Sequence, residues 1–265
     1  MRRPDRRSGP APTRPEVTRR EVTRPELVGT AVTAARRPAV AFASAACTLL
    51  GTVAVALAVF VGPAPELAAY VSETGASGGA TVWAYRIGLL AAAAGQILLG
   101  AALPTVSRLA TGLLVASAAA TVLSAGVSCR AACPLPPFDR VTLADLVHGG
   151  ASIAAVAGTV FAMLAVAGTT GAPRTLRGIS AAAAAVALPL SAVAGLALLL
   201  VGRSVLMGAV ERLLLLDLAA WVIATALTLG LPRAAAGAAP AGEPAGAPAR
   251  GRRAGPAGRG GTGRL

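Results

Sequence analysis

Six apolar runs, each near the ~20 residues that cross a bilayer, constrain this chain more than any other feature. They lie at approximately 39–62, 84–103, 109–127, 147–168, 179–201 and 213–231. Within hydrocarbon every backbone N–H and C=O must find a partner inside the protein. The runs lack the alternation of barrel strands, so each is expected to be a helix. The expected fold class is all-α: a polytopic membrane protein with six transmembrane helices in a bundle.

Composition agrees. Hydrophobic residues make up 55% of the chain and charged residues 13%, whereas a soluble domain is about one-quarter charged. Every one of the 24 basic residues is arginine, in a background of alanine, glycine and proline. That bias suggests a GC-rich bacterial genome of actinobacterial type, and it bears on codon usage rather than mechanism.

The chain divides into three parts. Residues 1–38 are Arg/Pro-rich and contain an imperfect repeat, RPEVT, RREVT, RPELV. Residues 39–231 hold the six runs, and residues 232–265 are rich in Ala, Gly, Pro and Arg. Both outer segments are too poor in large apolar residues to fold alone and are expected to be disordered tails. The first tail is too long for the leading region of a signal peptide, so the first run is expected to be retained.

The net charge of +13 could indicate nucleic-acid binding, but the arginines concentrate in the two tails and no stacking aromatics interleave with them. Basic tails flanking an apolar body instead suit anionic lipid headgroups. With both termini cytoplasmic, nineteen arginines fall on the inner side and five on the outer. The positive-inside rule therefore selects this orientation, in a bacterial plasma membrane. Membrane lipids are the expected partners; nucleic acid is not. Tyr70, Trp83 and Tyr85 are expected together at one membrane interface.

The runs are rich in small residues, which let helix backbones approach closely. Gly88 and Gly95 are seven apart, roughly on one face of the second helix. Gln96 is expected to make an interhelical hydrogen bond. Pro189 stands mid-span in the fifth helix and removes one helical N–H. Cys47, within the first run, reads as a small apolar residue.

The stretch VSCRAACPLPPFDRVTLADLVHGG, residues 127–150, interrupts the apolar pattern and carries the only histidine. In the expected topology it faces an oxidising compartment, and the Cys129–Cys133 spacing permits a disulfide. Free thiols and a metal site are the alternatives. The best metal set is Cys129, Cys133, His148 and Asp145, with no second histidine, so no metal is expected. Asp145 and His148 are three apart at the start of the fourth helix, with Ser152 four further on, all on one face. Thr142 and Asp145 have the spacing of a capping box. His148 wants a partner, and Asp145 is the obvious candidate.

Further ionisable groups fall on the same side. Arg86 opens the second helix. Arg203, Glu211 and Arg212 are expected in the loop before the sixth. Asp217 is expected about four residues into that helix and paired with Arg86, Arg212 or His148, since a lone charge in lipid is costly. Arg86, Arg212, Glu211 and Asp217 are the candidate ligand-binding residues; Asp145 and His148 are the candidate catalytic ones.

With its six runs, the Cys-x-x-x-Cys-Pro-Leu-Pro-Pro loop, the Asp-Leu-Val-His step and the later Glu-Arg, residues 39–231 resemble the membrane proteins of domain-of-unknown-function family 998. The resemblance implies a six-helix bacterial membrane protein with matching positions at Asp145, His148 and Arg212. The segment 129–137 is similar to the actinobacterial members. The resemblance brings no activity and no cofactor.

Three functions remain open. The first is a structural or accessory membrane protein, since no nucleophile motif, phosphate loop or metalloprotease helix is present. The second is an enzyme acting on a lipid or lipid-linked substrate, with His148 as acid or base, Asp145 orienting it, and Arg86 and Arg212 on an anionic headgroup. The third is a small-solute transporter, which needs a continuous polar cavity reaching mid-bilayer.

Overall fold

A computed structural model of the chain describes residues 24–62, 67–76, 79–134, 136 and 140–231, with side chains from Arg37 onward. Of the two expected tails, residues 1–23 and 232–265 lie outside this description. The described residues form six α-helices and no strand: α1 Arg24–Val61, α2 Ala80–Ala102, α3 Arg108–Gly126, α4 Leu143–Gly168, α5 Arg174–Leu200 and α6 Val205–Gly230. All six are long and apolar enough to cross a membrane, α1 through its Arg37–Val61 portion. The chain is a multi-pass membrane protein.

Helix boundaries follow local chemistry. α1 starts at Arg24, ahead of the apolar run expected from residue 39. Ser107 caps α3, its Oγ accepting from the Ala110 N–H at 3.3 Å, and Ser204 caps α6 by accepting from the Met207 N–H at 3.2 Å. This second cap corrects the expected start of the sixth helix. Glu211 and Arg212 interrupt the hydropathy run without interrupting the helix, so both stand in its second turn rather than in a loop.

Each helix packs on the next in sequence, and α6 closes the ring onto α1, with α2 and α4 also touching α6. The turns α1–α2, α3–α4 and α5–α6 therefore meet at one end, called here the cysteine end. The two halves of the bundle are filled differently. Away from the cysteine end, Leu99, Leu103, Leu114, Met163, Val166, Leu176 and Trp221 form the largest buried cluster. There the Trp221 indole N–H donates to Ser180 Oγ at 2.9 Å, so the buried ring leaves no polar atom unmet.

No hydrophobic force drives helices together in lipid, so close packing must do so. At the α1–α2 contact a side chain on Gly51 would meet the Gly88 carbonyl oxygen at 2.5 Å, and one on Gly88 the Gly51 carbonyl oxygen at 2.9 Å. Ser44 Oγ adds a hydrogen bond to the Gly95 carbonyl at 2.8 Å. Large apolar side chains point outward, among them Leu50, Phe60 and Leu200 at 67, 77 and 72% exposure. That outward face suits lipid tails.

The three aromatic residues fall together at the cysteine end, but they differ in exposure. Only Trp83 is exposed, whereas Tyr70 and Tyr85 are buried at 7 and 5%. Tyr70 packs against Cys129 and Cys133, and Tyr85 against Ala58 and Val71. Both rings serve as packing beneath the loops at the cysteine end.

Candidate functional site

The α3–α4 loop is tied to α4 by one carboxylate. Thr142 caps α4 in the expected capping box: its Oγ1 accepts from the Asp145 N–H at 3.3 Å, and its own N–H donates to Asp145 Oδ2 at 2.8 Å. The Thr142 hydroxyl donates to the same oxygen at 2.7 Å. Asp145 then reaches back along the loop. Its Oδ1 accepts from the Arg130 backbone N–H at 2.9 Å, and Oδ2 from Arg130 Nε at 3.0 Å. The carboxylate is 1% exposed, and this shell of donors offsets the cost of burying its charge. Arg130 also donates to the Arg140 carbonyl, closing the loop on itself.

Arg130 lies next to Cys129, so Asp145 also positions the cysteines. Cys129 and Cys133 form a disulfide with Cα atoms 5.0 Å apart, inside the usual range. The turn between them holds Ala132 and Cys133 at φ 65° and 40°. Two consecutive non-glycine residues in the left-handed region cost about 1–2 kcal/mol each.

His148 is not paired with Asp145, which corrects the expected dyad. Its Nδ1 lies 2.9 Å from the Ser124 carbonyl oxygen and 2.8 Å from that of Val127. Both are acceptors, so Nδ1 carries the hydrogen. The two carbonyls belong to the last turn of α3 and its C-cap, where helical partners have run out. The imidazole thus caps a neighbouring helix, which neither the spacing to Asp145 nor any local pattern revealed. Its other nitrogen, Nε2, is buried with no hydrogen-bond partner among the described residues. On the Nδ1 side, Ser124 Oγ lies 3.4 Å from the ring nitrogen and 2.8 Å from Ser152 Oγ.

The remaining candidates serve a different purpose. Glu211 Oε2 accepts from the Val71 N–H at 2.9 Å. Arg212 Nη1 donates to the carbonyls of Ala69 and Gly208 at 3.1 and 2.8 Å. Glu73, which sequence reasoning missed, accepts from the Tyr70 N–H at 2.9 Å and pairs with Arg203 at 2.9 Å. No capping-box signature marks it in the sequence, because the residue three before it is tyrosine rather than serine or threonine. Together these bonds dock the segment 67–76 onto α6. Gly208 allows that contact, because a side chain there would run into the Leu67 carbonyl. Arg86 binds Ser128 Oγ and lies 5.9 Å above the Trp83 ring.

Asp217 is the other correction. With α6 starting at Val205, it lies roughly 18 Å along the helix at 1.5 Å per residue, near the middle of α6. Arg86, Arg212 and His148 make the contacts just given, and Asp217 Oδ2 has no hydrogen-bond partner among the described residues. Gln96 behaves as expected: its Nε2 donates to Thr159 Oγ1 at 3.1 Å, and its Oε1 accepts from Ser117 Oγ at 3.3 Å. Cys47 is half-buried and free.

Among the cavities lined by described residues, two open in the half of the bundle that the main core leaves unfilled. The larger, about 360 Å³, lies between α4, α5 and α6. Ile153, Val156, Phe161, Leu188 and Leu198 line its body, while His148, Ser152, Glu211 and the Cys129–Cys133 pair lie at the cysteine end. Gly195 also lines it, and a side chain built there meets nothing within 4 Å. The smaller, about 190 Å³, runs inside the ring past Tyr85, Ser124 and Thr121 to Gln96, Thr48 and Thr159. Ser152, Val156, Glu211 and Leu214 border both.

Six membrane-length helices in a sequential ring, with a disulfide-tied loop over a cleft, define the class: a multi-pass helical membrane protein. The sequence profile of the family described as "Protein of unknown function (DUF998)" matches residues 45–228, and the chain belongs to that family. No curated protein and no solved structure matches it.

Proposed function

We propose that the protein is an accessory component of the bacterial plasma membrane that holds one amphiphile, a lipid or lipid-linked molecule, in its outer half. The observation that carries this is the cavity of about 360 Å³ between α4, α5 and α6. Its apolar body suits a hydrocarbon tail, and Ser152, Glu211 and His148 Nε2 offer polar contacts to a headgroup at one end. The arginine distribution supports an outer-face position for that end. Arg86 and Arg212 contribute less than the sequence implied, because their guanidinium groups already bind Ser128 and the carbonyls of Ala69 and Gly208.

The test is lipid retention through purification. Gly195→Phe places a ring in the open space at the cavity wall. Wild type is expected to keep about one amphiphile per chain by native mass spectrometry, and the variant to lose it. Equal retention by both proteins would overturn the reading.

A second reading, a lipid-modifying enzyme, is favoured by one observation: His148 Nε2 is a buried imidazole nitrogen without a partner. Held with hydrogen on Nδ1, that nitrogen is available as a base. A lipid species that changes between wild-type and His148→Ala strains would favour turnover, and an unchanged lipid profile would leave holding as the function. Transport draws less support. The smaller cavity does reach the depth of Gln96, but Glu211 is the only carboxylate among its described lining residues.

A further inference from the structure

We propose that Cys129, Cys133 and His148 form a redox-gated zinc site: closed while the cysteines are a disulfide, and open to one divalent ion once they are reduced. One sulfur from each cysteine and a ring nitrogen of His148 all lie within 4.8 Å of one another, and all three residues are buried. Ligands at about 2.0–2.3 Å from a tetrahedral ion stand roughly 3.5–3.8 Å apart. Once the sulfur–sulfur bond is gone, the two sulfurs must move apart to reach that spacing, by side-chain rotation from Cα atoms 5.0 Å apart.

The histidine is arranged as a ligand rather than as a spare polar group. Its Nδ1–H is held by the Ser124 and Val127 carbonyls, 2.9 and 2.8 Å away. A carbonyl on one ring nitrogen fixes the tautomer and leaves the lone pair on the other, as with metal-bound imidazoles. Nε2 is that other nitrogen, and it is buried without a partner. A buried polar atom left unmet is costly unless something occupies it. Asp145 supplies the outer support. By gripping the Arg130 backbone N–H it fixes the loop that carries Cys129 to the helix that carries His148.

Chemistry selects the ion. Two thiolates and one imidazole exclude calcium and magnesium, which take oxygen ligands. A divalent ion with two thiolates is neutral overall, and neutrality matters at residues only 5–6% exposed. A monovalent ion such as Cu⁺ would leave a buried net charge. The exchange is balanced. A dithiol reductant transfers two electrons and two protons to the disulfide and is itself oxidised to a cyclic disulfide. Zn²⁺ then displaces one proton from each cysteine thiol into solvent. Three protein ligands leave the fourth position open toward the cavity. Zinc on Nε2 would take that nitrogen from a headgroup but leave the apolar body of the cavity untouched, so zinc stoichiometry and amphiphile retention are measured separately.

The experiment uses the full chain in detergent micelles, reduced and freed of reductant without oxygen, then incubated with Zn²⁺ alone. Elemental analysis is expected to find one zinc per reduced chain and none per oxidised chain. Co²⁺ in its place is expected to show thiolate-to-metal charge-transfer bands. His148→Asn is the informative variant, since its amide N–H still reaches the α3 carbonyls while the ligand nitrogen is lost. It is expected to keep wild-type helicity and lose stoichiometric zinc, as is Cys129→Ser. Absence of zinc from the reduced wild type, equal uptake by the oxidised protein, or undiminished binding in His148→Asn would each overturn the proposal. So would a preference for Cu⁺ over Zn²⁺.

Discussion

Asp145 accepts from both the backbone N–H and the guanidinium of Arg130, fifteen residues earlier, at 2.9 and 3.0 Å. Its side chain is fully buried, whereas that of Arg130 is 53% exposed. The two partners therefore differ in what their removal costs. Asp145→Asn replaces one acceptor oxygen by a donor facing other donors, and is expected to lose about 1.5–3 kcal/mol, the range for hydrogen bonds to a charged group. Arg130→Ala keeps the backbone donor and is expected to lose about 1 kcal/mol or less. Thermal unfolding in detergent reads the difference; equal losses would contradict this ordering.

Ala132 at φ 65° supplies a stabilising change. Glycine adopts that conformation without the steric cost of a Cβ. Ala132→Gly is expected to raise stability by about 1 kcal/mol, seen as a higher midpoint in the same melt. A lower midpoint would show that the turn is not strained at that residue.

The 67–76 segment depends on Glu211 and Gly208. Glu211→Leu leaves the Val71 N–H without its acceptor, and Gly208→Ala drives a methyl into the Leu67 carbonyl. Both variants are expected to speed hydrogen exchange in 67–76 while leaving the α4 amides unchanged. Exchange that stays slow in 67–76 would mean that the segment is held by other contacts.

Asp217 is expected to behave oppositely to Asp145. Its Oδ2 has no hydrogen-bond partner among the described residues, and it lies far into α6. A charge at the bilayer centre costs about 2.5–3.5 kcal/mol. Asp217→Leu is therefore expected to unfold at a higher temperature than wild type. Destabilisation would reveal a partner for the carboxylate.

How much of this was legible in the sequence depended on the range of each interaction. The helices were legible because bilayer thickness sets their length, and the Thr142–Asp145 box because its partners are three residues apart. Gln96 was legible as a polar group that must find a partner between helices. The start of α6 was hidden because Glu211 and Arg212 look like a loop to any hydropathy window, although Ser204 caps a helix ahead of them. His148 was misread for a related reason. Its partners are carbonyls, which every residue carries, so no side-chain pattern marks them. The docking of 67–76 was invisible for the same cause: Glu211 and Arg212 both bind backbone atoms more than a hundred residues away.

The cavity between α4, α5 and α6 is the centre of the account, and photo-crosslinking tests it most directly. A phospholipid with a photoactivatable tail, reconstituted with the full chain, is expected to label the less exposed cleft residues Val156, Leu198 and Leu214 above the outward-facing Leu50 and Phe60. Gly195→Phe is expected to abolish that excess. Labelling spread evenly over all outward-facing residues, and unchanged by Gly195→Phe, would contradict the claim that this protein holds a lipid there.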